Sequence, residues 1–404
     1  MGKYGLIGER LAHSFSPQIH AQIGDYEYEL YEMPEGAVAQ FMRTNALDGF
    51  NVTVPYKETV MPHLAEISEE ARRIGSVNTV VRLPSGALRG YNTDYHGFLY
   101  MLGDVSHLRG EKAVILGSGG AAKAVHAVMA DAGLVPVIIS RTGADNYENL
   151  SRHADAAVVV NATPVGMYPE VDASPIDLRA FPRCVRALDL IYNPLKTKFL
   201  LDAAARGIDA RNGLSMLAAQ AVKASEHFGV RPPGDDPTAR IVDALSRAAR
   251  NIALIGMPGA GKTVIGRAIA AITGRAFYDI DEMILGEIGM PIPDYFEKMG
   301  EGAFRAVESR MLARAAKETH AVIATGGGIV TVPGNRGMLL QNCAVVAIER
   351  EISALAAGGR PVTRKKGVEA IYRERKPLYD SWSERTYENV GIKETARRIA
   401  ADFG

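Results

Sequence analysis

The octet Gly256-Met257-Pro258-Gly259-Ala260-Gly261-Lys262-Thr263 satisfies the spacing G-x-x-x-x-G-K-[ST] in full. Small residues there let successive backbone N–H groups close around phosphate oxygens. The lysine reaches the β and γ oxygens, and the Thr263 hydroxyl is a ligand for magnesium. Further along come Asp279-Ile280-Asp281, Phe304-Arg305 opening a helix that bears Glu308, and Thr325-Gly326-Gly327-Gly328. Arg360 and Arg375 follow. Bare glycine backbone lets a small acceptor lie close, and guanidinium groups suit a carboxylate or a transferring phosphoryl group. Any one of these arginines alone is more often a surface residue.

A second glycine-rich turn, Gly117-Ser118-Gly119-Gly120-Ala121-Ala122, has the form G-x-G-x-x-A within Lys112–Ala124. Placed between a buried strand and a helix, it offers N–H groups and a positive dipole end to a pyrophosphate. The next strand ends in Ser140-Arg141-Thr142, where an acidic residue would bind ribose hydroxyls. A guanidinium beside a hydroxyl suits a 2′-phosphate instead, which favours NADP. Ahead of this turn lie Ser14-Phe15-Ser16-Pro17, Asn51-Val52-Thr53-Val54-Pro55-Tyr56-Lys57, Ser76-Val77-Asn78-Thr79 and Asn92-Thr93-Asp94. Hydroxyls and amides with one lysine and one aspartate can hydrogen-bond a polyhydroxylated carboxylic acid. Singly, each has an ordinary explanation: Ser-Pro a turn, Asn-Thr-Asp a helix cap, Lys57 a solvated charge.

The elements that must hold these groups alternate short apolar runs with longer amphipathic ones, the pattern of parallel α/β layers. Strand-like runs are Tyr4–Ile7, Phe50–Val54, Ala113–Leu116, Val135–Ile139, Ala157–Val160, Ala187–Leu190, Ile252–Ile255, Ala321–Ala324 and Ala344–Ile348. Helical patterns include Ala121–Ala132 and Thr263–Thr273. Val230–Pro237 reads as a linker, but Thr238–Ala249 is an amphipathic helix with Ile241, Leu245 and Ala248 on one face. That helix closes the first module, which sets the boundary near Arg250. The expected division is 1–249, with a substrate domain (1–100 plus 213–249) around a nucleotide domain (101–212), and then 250–404.

The totals exclude several classes. With 404 residues the chain is long for one core, and 46 basic against 46 acidic residues leave no global field for nucleic acid or anionic lipid. Cys184 and Cys343 are the only cysteines, so no disulfide framework exists and a reducing, cytoplasmic setting fits. No apolar run reaches the 18 residues a membrane span needs, and the opening residues hold no signal-peptide core.

In order and spacing, the motifs from about Tyr4 to Arg250 resemble the shikimate dehydrogenase family, and Asn251–Gly404 resembles shikimate kinase. The resemblance implies an α/β architecture: a shikimate dehydrogenase-like substrate domain plus a Rossmann NADP domain, followed by a P-loop kinase domain with a parallel sheet. It implies Lys57 and Asp94 as the catalytic pair for reducing 3-dehydroshikimate with NADPH. Ser14, Ser16, Thr53, Asn78, Tyr192 and Gln220 then hold the substrate. Gly117, Gly119, Gly120, Ala121, Ser140, Arg141, Thr142, Thr163, Gly213 and Met216 then hold the cofactor. For the kinase it implies ATP on Gly259, Ala260, Gly261, Lys262 and Thr263, and Mg2+ near Thr263 and Asp279. Asp281, Arg305, Gly327 and Arg375 would surround shikimate, with Asp281 a candidate for accepting the hydroxyl proton. Arg360, in Gly359-Arg360-Pro361, corresponds to a lid arginine that reaches the phosphates.

There are departures from the family pattern. The stretch from His20 to Phe50 is short, Ala21 follows His20 where asparagine is usual, and Ser140 precedes Arg141. Asp145 occupies the place of a second basic residue near the 2′-phosphate, which weakens the NADP expectation. Between Ile348 and Arg360 the lid is shortened and lacks a basic residue before Gly358-Gly359, so weaker ATP binding is expected. Two alternatives stay open: an NAD-dependent quinate/shikimate dehydrogenase with the kinase attached, and a metabolite-sensing regulator with dead sites. The second expects lost catalytic groups, whereas Lys57, Asp94, Lys262, Thr263, Asp279 and Arg305 are all present.

Overall fold

The computed structural model describes residues 2–11, 14–355 and 367–404. By internal contacts the chain forms two compact units. The first comprises Met1–Gly166, Ala173–Tyr192 and Asp202–Ala244. The second comprises Met167–Asp172, Asn193–Leu201 and Leu245–Gly404.

The first unit contains two sheets. One is six-stranded and mixed, in the order β2(Glu27–Glu32), β1(Lys3–Gly8), β3(Gly49–Val52), β5(Thr79–Arg82), β6(Leu88–Tyr91), β4(Glu66–Ile67). Its strands β1, β2 and β3 run parallel, whereas β3–β5–β6 form an antiparallel meander. The β1 and β3 runs are apolar and buried, and their ends converge where Thr53 N–H bonds Ile7 O at 3.0 Å. The other sheet is five-stranded and wholly parallel, in the order β11(Asp209–Arg211), β10(Arg186–Asp189), β9(Val158–Asn161), β7(Lys112–Leu116), β8(Val135–Ile139). Chain order reverses between β7 and β9. Doubly wound sheets bind nucleotides in the crevice at such a reversal.

The second unit carries another parallel sheet, ordered β13(Ala276–Asp279), β14(Ala321–Ala324), β12(Asn251–Ile255), β15(Cys343–Glu349), β16(Arg385–Glu388). Continuous runs such as the fully buried β12 are what a strand covered on both faces requires. The central β12 delivers the 256–261 loop to its carboxyl end, where the helix Lys262–Thr273 begins.

The helix read from Thr238 spans Pro237–Ala249, and the division between the units falls within it. Its buried stripe is Ile241, Leu245 and Ala249, and Ala248 is exposed, because four-residue steps keep to one helix face. Phe304-Arg305 does not open a helix in the strict sense. Both lie in Ile292–Ala316, four and five residues after Gly300, whose φ of 82° breaks the helical path.

Candidate active sites

Lys57 lies in the turns after β3, and Asp94 is the first residue of the helix Asp94–Leu102. Their side chains meet with Nζ 2.6 Å from Oδ2, both largely shielded from solvent. The other Asp94 oxygen accepts a hydrogen bond from Asn78 Nδ2 at 2.9 Å. Asn78 is held in turn: its Oδ1 accepts from Thr93 N–H at 2.7 Å and Thr79 Oγ1 at 3.1 Å. Thr93 Oγ1 reaches Gln220 Oε1, 3.4 Å away on the helix Leu214–His227. The pair is thus fixed by buried amides and hydroxyls, leaving its exposed side for a ligand.

A cavity of about 670 Å³ opens onto this pair. Ser14, Ser16, Thr53, Lys57, Asn78, Asp94, Tyr192 and Gln220 line it together, as do Ala121, Gly213 and Met216. Ser14 and Ser16 are 3.1 Å apart through their hydroxyls, and the Phe15 ring lies 5.5 Å from that of Tyr192. Gly213 is obligatory, since a Cβ there would lie 2.0 Å from Leu190 O. Sequence reasoning did not single out Arg10, Glu32 or Asn51, which also line the cavity. Asn51 donates to Thr79 Oγ1 at 3.1 Å and accepts from Tyr28 OH at 2.8 Å. It stands inside the same run as Thr53 and Lys57, so its signal was in view.

A second cavity, of about 610 Å³, lies at the carboxyl ends of β7 and β9. Gly117, Gly119, Ser140, Arg141 and Thr163 line it, with Tyr147 in addition. Gly117 has a φ of 103° and packs against Ala162 and Thr163, while Gly119 and Gly120 leave open the space a Cβ would fill. That cradle fits a dinucleotide pyrophosphate. Gly120 and the exposed Thr142 line neither cavity. Asp145 points into a hydrogen bond with His153 Nε2 at 2.8 Å.

In the second unit, Gly259 and Gly261 adopt φ of 85° and 101°, which the loop before the helix requires, and Ala260 is buried. Lys262 is buried and donates to Gly256 O and Met257 O at 2.9 and 3.0 Å, so its charge sits inside the loop. Thr263 Oγ1 lies 2.7 Å from Asp279 Oδ2, and the other Asp279 oxygen caps the helix Ile280–Ile288 by accepting from Asp281 N–H at 2.9 Å. A hydroxyl and a carboxylate so placed are the hard oxygen donors that Mg2+ takes alongside phosphates. No cluster of three or more His, Cys, Asp or Glu side chains suited to a metal exists among the described residues.

The three glycines after β14 are dictated by their neighbours. A Cβ at Gly326 would meet Glu308 Oε1 at 2.5 Å, one at Gly327 would meet Pro258, and one at Gly328 would lie 2.2 Å from the Arg305 guanidinium. Arg305 is clamped by Glu308 at 2.6 Å, and Arg375 donates to Gly327 O at 2.9 Å. Burial pushes the Glu308 carboxyl up from its ordinary value, and Arg305 opposes that shift. The Nε atoms of Arg305 and Arg375 are buried without a hydrogen-bond partner. Buried donors of this kind are ones that an acceptor oxygen from a ligand or water would satisfy. Arg360, and with it residues 356–359 of the shortened lid, lies outside the described residues.

A doubly wound nucleotide-binding sheet beside a lysine–aspartate site, and a P-loop facing an arginine-lined glycine turn, define an oxidoreductase joined to a kinase. Known proteins bear the same two parts. A family model described as "Shikimate dehydrogenase substrate binding domain" matches residues 6–80, and one described as "Shikimate kinase" matches 258–402. Shikimate dehydrogenase (NADP(+)) from Clostridium beijerinckii is 38% identical over 245 residues, 55% of this chain and 90% of that protein. The counterpart from Geobacillus kaustophilus is 33% identical, over 60% of this chain and 99% of its own length. Among solved structures, shikimate 5-dehydrogenase from Thermus thermophilus, in complex with NADP(H) and shikimate, shares 34% identity. Its TM-score is 0.53, over 60% of this chain and 99% of that one. The chain belongs to the shikimate dehydrogenase family and carries a shikimate kinase domain after it.

Proposed function

We propose that the protein catalyses two successive steps: reduction of 3-dehydroshikimate to shikimate with NADPH, then phosphorylation of shikimate to shikimate 3-phosphate with ATP and Mg2+. The carrying observation is the 2.6 Å Lys57–Asp94 pair in a cavity lined by hydroxyls and amides. The nicotinamide, when bound against the Ala121, Gly213 and Met216 wall, supplies the hydride. Lys57 donates a proton to the ketone oxygen as its negative charge develops. Asp94 holds the ammonium in place, and Asn78 holds Asp94. Positioned proton donation is worth about 10²–10⁴-fold in rate.

In the kinase module, Arg305 and Arg375 orient an acidic acceptor beside bare glycine backbone. Lys262 and the loop N–H groups would hold phosphate oxygens, and Thr263 with Asp279 would hold a magnesium ion, which would supply charge neutralisation there. Asp281 stands in the first turn of its helix beside Gly326, where it accepts the acceptor hydroxyl's proton. Phosphoryl transfer needs mainly such positioning and charge neutralisation. The reading places the two steps on 1–249 and 250–404, in the cytoplasm, on freely diffusing small molecules.

The test is one assay on the full chain with 3-dehydroshikimate, NADPH, ATP and magnesium, following NADPH loss and ADP formation. ADP that forms only once NADPH is consumed supports both steps and their order. NADPH loss without ADP defeats the kinase half. No turnover with either nicotinamide cofactor defeats the reading and favours a ligand-sensing role.

A further inference from the structure

The second unit takes in two stretches of chain that precede the joint near Arg250, Met167–Asp172 and Asn193–Leu201. Inside that unit they meet the ends of two helices. Tyr168 OH donates to Ala316 O at 3.0 Å, on the last residue of the helix Ile292–Ala316. Lys196 N–H donates to Gln341 O at 2.9 Å, in the last turn of the helix Gly334–Asn342. The final carbonyls of a helix have no partner within it, so these donors supply what the helices cannot. Two side-chain amides complete the contact. Gln341 Nε2 donates to Val171 O at 2.7 Å, and Asn342 Oδ1 accepts from Leu195 N–H at 3.4 Å. Both amides are buried, where a polar group left unpaired is unfavourable. Burial also pushes the Tyr168 hydroxyl up from its ordinary value, which keeps it protonated and able to donate. The two helices bear on the site. The first carries Arg305 and Glu308, and the second runs directly into β15, which pairs with the β12 strand that delivers the phosphate loop.

We infer that Met167–Asp172 and Asn193–Leu201, although they stand within the first 249 residues, are structural parts of the kinase unit, and that this unit reaches its full stability only with them docked. The docking face is formed by residues 316, 341 and 342, and its occupant is these two segments of the same chain. The kinase as a folding unit therefore does not begin at the joint. Without the segments it would keep every phosphate and acceptor group but would leave two helix ends uncapped and two buried amides short of a partner. None of this depends on the reaction that either unit catalyses.

The experiment is hydrogen exchange on the full-length protein, resolved by peptide, for the wild type, Tyr168→Phe and Tyr168→Phe/Gln341→Met. The first substitution keeps the ring and removes one donor; the second keeps the side-chain length and removes another. Exchange of core amides under native conditions reads how readily each cooperative unit opens. In β12, β14 and β15 it is expected to quicken about 5-fold in the single variant and about 20-fold in the double one, the scale of one and two buried hydrogen bonds. In β7 and β9, in the first unit's parallel sheet, it stays at the wild-type rate. Unchanged exchange in β12, β14 and β15 overturns the inference. Equal quickening in both sheets overturns it too, because Tyr168 then serves the chain as a whole. Quickening confined to residues 316–318 and 341–343 reduces the contact to a local cap and likewise overturns it. If the double variant fails to fold, the single variant decides by the same readings.

Discussion

The Nζ of Lys57 and the carboxylate of Asp94 lie 2.6 Å apart, although 37 residues separate them in the chain. Since the second Asp94 oxygen is engaged by Asn78, the carboxylate cannot swing away, and the ammonium is presented at one point. Lys57→Ala is therefore expected to lower the dehydrogenase kcat by about 10²–10⁴-fold with little change in substrate KM. Steady-state rates of NADPH oxidation check this, with ADP formation from added shikimate as the control for folding. A near-normal kcat would refute the assignment of the proton donor.

Gly328 carries a sharper test of the kinase site. An added Cβ would fall 2.2 Å from both terminal nitrogens of Arg305, which Glu308 clamps at 2.6 Å. Arg305 cannot yield without breaking that buried pair. Gly328→Ala is expected to raise the kinase KM for shikimate about 10-fold or more, the scale of a lost charged hydrogen bond. NADPH oxidation by the same variant stays at the wild-type rate. An unaltered KM would mean that Arg305 does not contact the acceptor.

Two histidines set an acid limit on stability. Burial pushes the His20 imidazole down to about 3, and His227 down to about 4 with help from Lys223 and His96. His20 stacks on Tyr28 at 3.8 Å, and Tyr26 OH and Asn51 also face it. His227 stacks on Tyr91, with Lys223, Glu226, His96 and Arg89 around it. Above the ordinary imidazole value, about 6.5, both states are neutral and the contribution to stability is full. As pH falls below it the unfolded chain binds protons that the folded chain refuses, so stability drops until the folded values are reached. The melting temperature should fall from about pH 6.5 to about pH 5, before most carboxylates titrate, and a His20→Asn/His227→Asn double variant should flatten that slope. A wild-type profile flat over this window would count against the burial argument. Because Tyr28 bonds Asn51 in the substrate cavity, dehydrogenase activity should fade along with stability.

The strands legible in the sequence were mainly apolar runs, most of them buried, although the partly exposed edge strand β8 was legible as well. The runs read at β1, β7, β12, β14 and β15 are apolar, the one at β3 carries Asn51 and Thr53, and the two glycine-rich turns follow β7 and β12 directly. The strand β2 was invisible because Glu27-Tyr28-Glu29-Leu30-Tyr31-Glu32 sits at a sheet edge, where charged side chains face water and discourage further pairing. The short β5 and β6 carry no period of their own and are defined by pairing with β3 and each other. In the sites, the motif residues were legible because chemistry restricts their types. Their supports were only partly so: Thr79 and Thr93 stood within the quoted runs, but their bonds to Asn78 and Gln220, and the part played by Tyr28, depend on distance in space, which spacing along the chain does not encode. Arg10 and Glu32 were not singled out, because a charged residue outside any motif has no spacing to mark it.

The nucleotide cavity holds the last test. Arg141 is its one lining cation among the described residues, and Asp145, on the turn just after it, bonds His153 at 2.8 Å. The turn is stiffened by Ser140 N–H to Asp145 O at 3.2 Å and by Asn149 Nδ2 to Ala144 O at 2.9 Å, so Asp145 keeps its place beside the strand end. A carboxylate near a 2′-phosphate opposes it. Asp145→Asn keeps an acceptor for His153 and removes the charge. It should raise the preference for NADPH over NADH in kcat/KM by about 3- to 10-fold, the effect of one partly screened charge at this range. Asp145→Lys should raise it further, and both gains should shrink at high salt. A wild type that already uses NADH as well as NADPH would favour the alternative of an NAD-dependent dehydrogenase. An unchanged ratio in both variants would leave cofactor choice to Arg141 and its neighbours alone.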